Sequence, residues 1–369
     1  RDQLYPSTTV ISGWSNPATL FTEYEFDNPT PLSIGSLDLT FLVVALMPLL
    51  MIAVCFDILA ADRERGRARL TAAQSGSLSR SIWERLALRN VALWGVLVFV
   101  TAMAVPFSPS GATTEIRITH YLAWLATALL YGLFWFGLIA LFSAFLKRSE
   151  TIASALFAAW ATFLFAVPAL GGSLAEGLYP PPSRLTFLSE MREGEVKAVR
   201  ETAELTAGFL ADHPEMTVSD EEVPGFYQRS FIANNEAAKR TTPVLESFSA
   251  SRERREGLVR LIQFASPAMI ADRALSAFAG GDLDRALAFQ AQAYVALETL
   301  QAAIGPAVVA KQRISIAEFD ALPPFRFKEP GVTQLYGRNG VPLLYLGILS
   351  GVLILVSRRR LGAPLEQLL

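Results

Sequence analysis

Charge is scarce in this chain of 369 residues: 18% of its residues are Asp, Glu, Lys or Arg, against 52% hydrophobic and 11% aromatic. That balance excludes an ordinary water-facing surface over much of the length and points to lipid. Cysteine is nearly missing. The one thiol, Cys55, lies inside an apolar run, so neither an intrachain disulfide framework nor a cysteine metal cluster is possible, and a small buried apolar side chain is the simplest reading. Histidine is limited to His120 and His213 and no H-E-x-x-H occurs, which excludes an internal zinc-protease site. The phosphate loop G-x-x-x-x-G-K-[ST] is missing too, so nothing here binds ATP in the usual way. A formal net charge of -2 gives no global basic field for nucleic acid. There is no internal repeat and no low-complexity tract.

What is present is long uncharged stretches. Five windows contain no Asp, Glu, Lys or Arg: Leu39–Phe56, Asn90–Thr114, Tyr121–Leu146, Thr151–Ala175 and Asn339–Ser357. Each is long enough, with a borrowed neighbour or a snorkelling cation at the two short ones, to cross a hydrocarbon core that needs about 20 helical residues. A soluble core helix seldom stays uncharged so long, because one face meets water. The fold class expected is therefore an all-α integral membrane protein with five visible transmembrane helices.

Orientation follows from Lys and Arg near the span ends. Arg63, Arg65, Arg67, Arg69, Arg80, Arg85 and Arg89 fill the first loop, Lys147 and Arg148 the third, and Arg358 to Arg360 follow the last span. The short opposite loop has only Arg117, and the first 36 residues only Arg1. The expectation is a multi-pass protein of a bacterial inner membrane with a cytoplasmic C-terminus and an outer segment over 1–36. An outside N-terminus without a signal sequence implies a further span before Arg1, six in the full chain.

Residues 176–338 read as a helical extracytoplasmic domain. It opens on Tyr179-Pro180-Pro181-Pro182, a stiff linker. Helices are expected from Ser183 toward Asp212, where His213-Pro214 stops the run, and from Phe226 to Phe264 with a bend at Pro243. Ser266-Pro267 is a cap followed by a first-turn proline, with Gly280-Gly281 as its stop. Asp282 caps a last helix that Gly305-Pro306 is expected to end at Ile304.

The segment from Asp57 to Gly76 is the most informative. It joins the first span to the second, and Asp62 and Glu64 stand within helical reach of Arg65, Arg67 or Arg69, which favours a short amphipathic helix over 61–76 at the surface. The blander reading is a membrane-hugging turn whose arginines hold anionic lipid. Asp57, the acidic residue closest to the first apolar run, is either a gating group or one half of a structural ion pair with a nearby arginine. Gly171-Gly172-Ser173 and His120 are better read as a small-residue helix end and an interfacial histidine than as a serine–histidine pair. Trp94, Trp124, Trp135 and Trp160 are explained by interface belts or helix packing.

Asp62-Arg63-Glu64-Arg65-Gly66, followed by Arg69-Leu70, resembles the acidic–Arg–acidic–x–Gly pattern and coupling helix of permease subunits of type II ABC exporters. The layout is also similar, with four spans in succession over 37–175, a large insertion over 176–338, a last span at 339–357 and a basic tail at 358–369. The branch it looks most like includes gliding-motility and nitrous-oxide-reductase maturation permeases, and Ser266-Pro267-Ala268-Met269 through Ala279-Gly280-Gly281-Asp282 looks like an element of its large-insertion members. The resemblance implies a transport subunit rather than an enzyme, holding no cofactor itself, with ATP and Mg handled by separate ABC ATPase subunits. It implies pairing with a second permease copy or paralogue, and a periplasmic protein is a further partner to consider at the outer domain. Asp62, Arg63, Glu64, Arg65, Gly66, Arg69 and Leu70 would then meet the ATPase. The rival reading is a membrane-anchored scaffold or sensor whose outer domain binds a ligand or partner protein.

Overall fold

The computed structural model describes residues 38–68, 70, 78–107, 114–180, 189, 192–193, 196–197, 225–322 and 324–363. Among these the chain is helical and contains no strand. It is an all-α membrane protein, with five helices long and apolar enough to span a bilayer. We label α1 Leu39–Glu64, α2 Leu78–Ala104, α3 Thr114–Phe145, α4 Ser149–Leu178, α5 Gly225–Ile262, α6 Pro267–Phe278, α7 Leu283–Val309, α8 Ile316–Asp320 and α9 Val332–Leu361.

Each span is longer than its uncharged window, because a lack of charge marks the hydrocarbon depth while hydrogen bonding carries the helix on into the headgroups. The second span is displaced: it begins at Leu78, takes in Arg80, Arg85 and Arg89, and gives way at Val105–Phe107 to a tighter turn containing Pro106. The expected outer segment 1–36 and the Ser183–Asp212 helix with its His213-Pro214 stop lie outside, or almost wholly outside, the described residues.

The chain divides into two compact units. One comprises Ser36–Leu174, Val259–Asp282 and Pro330–Leu369, the other Arg1–Gly35, Ala175–Leu258 and Leu283–Glu329. The boundary differs from the expected domain at 176–338, since α6 clusters with the spans. The reason is its composition. Ala268, Ile270, Ala271, Ala274, Leu275, Ala277 and Phe278 are all buried, giving α6 an apolar face that packs within the core of the span unit. Its ends behave as the sequence indicates: the Ser266 hydroxyl accepts from the Met269 amide, and Gly280 adopts a φ of 71°. At that end His120 Nδ1 lies 3.1 Å from the Phe278 carbonyl.

Two prolines shape the span unit. Pro48 has no N–H for the Val44 carbonyl, and a π turn over Leu42–Leu46 precedes it. The carbonyls it exposes are met from other spans: Tyr131 Oη–H donates to Val44 (3.1 Å) and Trp160 Nε1–H to Ala45 (2.9 Å). Pro168 stands behind a second π turn, Thr162–Ala166, where the Phe163 carbonyl accepts from Ser266 Oγ at 2.6 Å. Donors at these depths are needed because lipid offers none. The two largest fully buried side chains, Trp135 and Tyr131, are both on α3, the central span.

In the other unit the helix α5 continues through Pro243, and α7 passes the expected stop at Gly305-Pro306 to end at Val309. Gly305 serves a close approach instead of a stop. A Cβ there would stand 2.9 Å from Phe231 Cζ.

Candidate functional site

The acidic–Arg–acidic–x–Gly run closes the first span. After Cys55 the helix loosens for one turn and resumes over Ala60–Glu64. The Ile58 amide turns to the Cys55 carbonyl, leaving the Val54 carbonyl to the Arg89 guanidinium of α2. Arg89 also lies 3.4 Å from Asp57 Oδ1. Asp57 thus has a nearby arginine as partner, in partly exposed surroundings where such a pair contributes little.

Three consecutive side chains then reach three different elements. Asp62, 6% exposed, lies 2.8 Å from Arg85 Nη1 on α2 and 3.5 Å from Arg67 Nη2. Its Oδ2 has no aligned hydrogen bond, so charge rather than directed bonding holds the Arg85 contact. Arg63 Nη1 donates to the Ser143 and Leu146 carbonyls at 3.1 and 2.8 Å, placing a cation on the negative end of α3. Glu64 Oε1 accepts from the Ser149 amide at 2.7 Å, placing an anion on the positive start of α4. Neighbouring residues of opposite charge thus grip the two ends of one tight turn between α3 and α4, each matched to the dipole it meets.

Gly66 ends the helix with a φ of 67°. Its amide bonds to the Arg63 carbonyl at 3.0 Å and the Arg67 amide to the Asp62 carbonyl at 2.8 Å, the paired bonds of a Schellman turn. The helix expected over 61–76 is consequently not continuous. Its first part belongs to α1, and the chain turns at Gly66 before helical geometry returns at Ala68 and Leu70. Arg69 and residues 71–76 lie outside the described residues. Arg65, Gly66, Arg67 and Leu70 are exposed, Leu70 by 58%, whereas Ala68 is buried.

Of the residues singled out in the sequence, Asp62 and Arg63 are thus turned inward and the exposed Glu64 carboxylate is engaged with Ser149, while Arg65 and Leu70 face outward. Sequence reasoning missed the Arg85 partner and the Ser143–Ser149 hairpin. Arg85 carried a usable signal, since Arg85 and Arg89 stand one helical turn apart. The hairpin carried none, because its contribution is backbone carbonyls and an amide.

Replacing Gly66 with alanine forces an L-residue into left-handed geometry at a cost of about 1–2 kcal/mol. A lower thermal midpoint in detergent is expected, with Gly66→Asn closer to the parent because asparagine tolerates this conformation. Equal midpoints for all three proteins would mean that the turn is not what fixes this end of α1.

Among the described residues no group of three or more His, Cys, Asp or Glu is placed to hold a metal. Residues 184–328 match a family described as a domain of unknown function (DUF3526). No curated protein and no solved structure matches the chain.

Proposed function

We propose that this chain is the permease subunit of an ABC exporter in a bacterial inner membrane, forming the substrate path with a second permease copy or paralogue and driven by separate ATPase subunits. One observation carries the reading. The charged run that closes α1 is tied by Asp62, Arg63 and Glu64 to α2, α3 and α4, while Arg65 and Leu70 beyond it remain exposed. A segment gripped on one side and open on the other suits the passing of force from a soluble partner into a helix bundle. The basic residues Lys147, Arg148 and Arg358–Arg360 favour the cytoplasmic face for this end, which supports a cytoplasmic C-terminus and an extracytoplasmic domain over 176–338. ATP and Mg belong to the partner chain.

Leu70→Asp and Arg65→Glu test the contact without touching the grip. Each is expected to lower the ATPase recovered on affinity purification from detergent at least tenfold, equivalent to about 1.4 kcal/mol of association, with membrane insertion unchanged. Full ATPase recovery with both variants would favour the alternative, an anchored scaffold or sensor working through its outer domain.

A further inference from the structure

The unit made of α5, α7 and α8 carries a groove that the permease reading does not use. It has a volume of about 440 Å³, within the range of small-molecule sites. One wall is a face of α7 with Ala291, Val295, Ala296 and Leu300; the other is Leu322 with the extended strap 324–328, including Phe325. Val295 is 62% exposed and Phe325 37%, so apolar surface stands open on both walls.

The strap is firmly held. Gln292 meets Lys328 with both ends of its amide, accepting from the Lys328 N–H at 2.8 Å and donating to its carbonyl at 3.0 Å. Arg285 forms a two-pronged ion pair with Glu329 and lies over the Phe327 ring at 5.3 Å. Phe289 packs against Phe325 and Phe327 with centroids 5.7 and 5.4 Å apart. The groove is therefore preformed, and binding need not order it.

Its charge is one-sided. Arg326 and Lys328 line the groove and are exposed; among the described residues neither makes an ion pair, and no carboxylate lines the groove. The nearby Glu329 is engaged by Arg285. A peptide is a poor match, since its amides and carbonyls need partners along their length and the Gln292 amide is already occupied by Lys328. A chain with no polar groups except an anionic head meets both demands: the tail covers the apolar walls and the head faces two cations.

We propose that this groove binds a single-chain anionic amphiphile of the fatty-acid class, with the tail between α7 and the strap and the carboxylate at Arg326 and Lys328. The site is independent of the permease reading.

The test uses the full chain in nanodiscs with a photoactivatable palmitate analogue carrying a diazirine on its tail, and maps adducts by mass spectrometry. Labelling of the spans is background common to all samples, so the measured quantity is adduct on peptides covering 291–300 and 322–328. That adduct is expected to be competed by unlabelled palmitate. It should fall at least tenfold in Arg326→Glu/Lys328→Glu and with a neutral alcohol-headed probe. Arg326→Lys/Lys328→Arg, which keeps the charge, should label like the parent and guards against misfolding as an explanation. Groove labelling that is absent, equally strong with the neutral probe, or unaffected by charge reversal overturns the proposal.

Discussion

Replacing Asp62 with alanine is expected to lower the unfolding free energy by about 3 kcal/mol, the low end of the range for removing one partner of a buried ion pair. The low end applies because Arg85 and Arg67 keep 35% and 52% of their side-chain surface exposed and can regain water once the carboxylate is gone. The loss has two sources. Arg85 loses the anion 2.8 Å away, and the end of α1 loses its tie to α2. Asp62→Asn should cost nearly as much, since Asp62 Oδ2 makes no aligned hydrogen bond that an amide might preserve. The deciding measurement is a double-mutant cycle with Arg85→Ala, using reversible SDS unfolding in mixed micelles. A coupling energy of at least about 1 kcal/mol is expected for residues in direct contact. Strict additivity would mean that the pair contributes nothing to stability.

A second large effect is expected at Gly132 on α3. This residue lets the Trp94 indole of α2 lie against the α3 backbone, and a Cβ there would fall 1.5 Å from Trp94 Cζ2 and 1.9 Å from Cη2. Those distances are far inside van der Waals contact, so Gly132→Ala must expel the indole from its seat. Overpacking of this kind costs about 1–3 kcal/mol, and close approach at small residues is a main source of helix association in lipid. Gly132→Val should reach the upper end. The indole is the obstacle, so Gly132→Ala combined with Trp94→Ala is expected to be less destabilised than the sum of the two single changes. If the double variant is as unstable as that sum, the α2–α3 contact is not limited by the Trp94 ring.

Both residues show what a single sequence does and does not reveal. Five stretches without charge suffice to identify the membrane spans, because burying an ion in hydrocarbon is so unfavourable that its avoidance leaves a readable mark. Caps and stops at Ser266-Pro267 and Gly280-Gly281 were equally readable, since they depend on residues close in the chain. That Asp62 to Arg65 needs partners is equally legible, as a run of alternating charge at the end of a span cannot stay unpaired in lipid.

Which partners, only the tertiary structure decided. Asp62 turns to Arg85 rather than solely to its near neighbours, and Arg63 and Glu64 grip the two helix ends of the α3–α4 turn. Those contacts join residues 23 or more apart in sequence, and two of them end on backbone atoms that every residue possesses. Gly305-Pro306 looked like a stop but permits contact with Phe231. The consequence of Pro48 and Pro168 depended on whether Tyr131, Trp160 and Ser266 stood near enough to satisfy the carbonyls at each π turn. The grouping of α6 with the spans has the same origin. Local sequence fixes where a helix starts, what is apolar and where backbone must turn; whether α6 lies among the spans depends on the complementary apolar faces of helices distant in the chain.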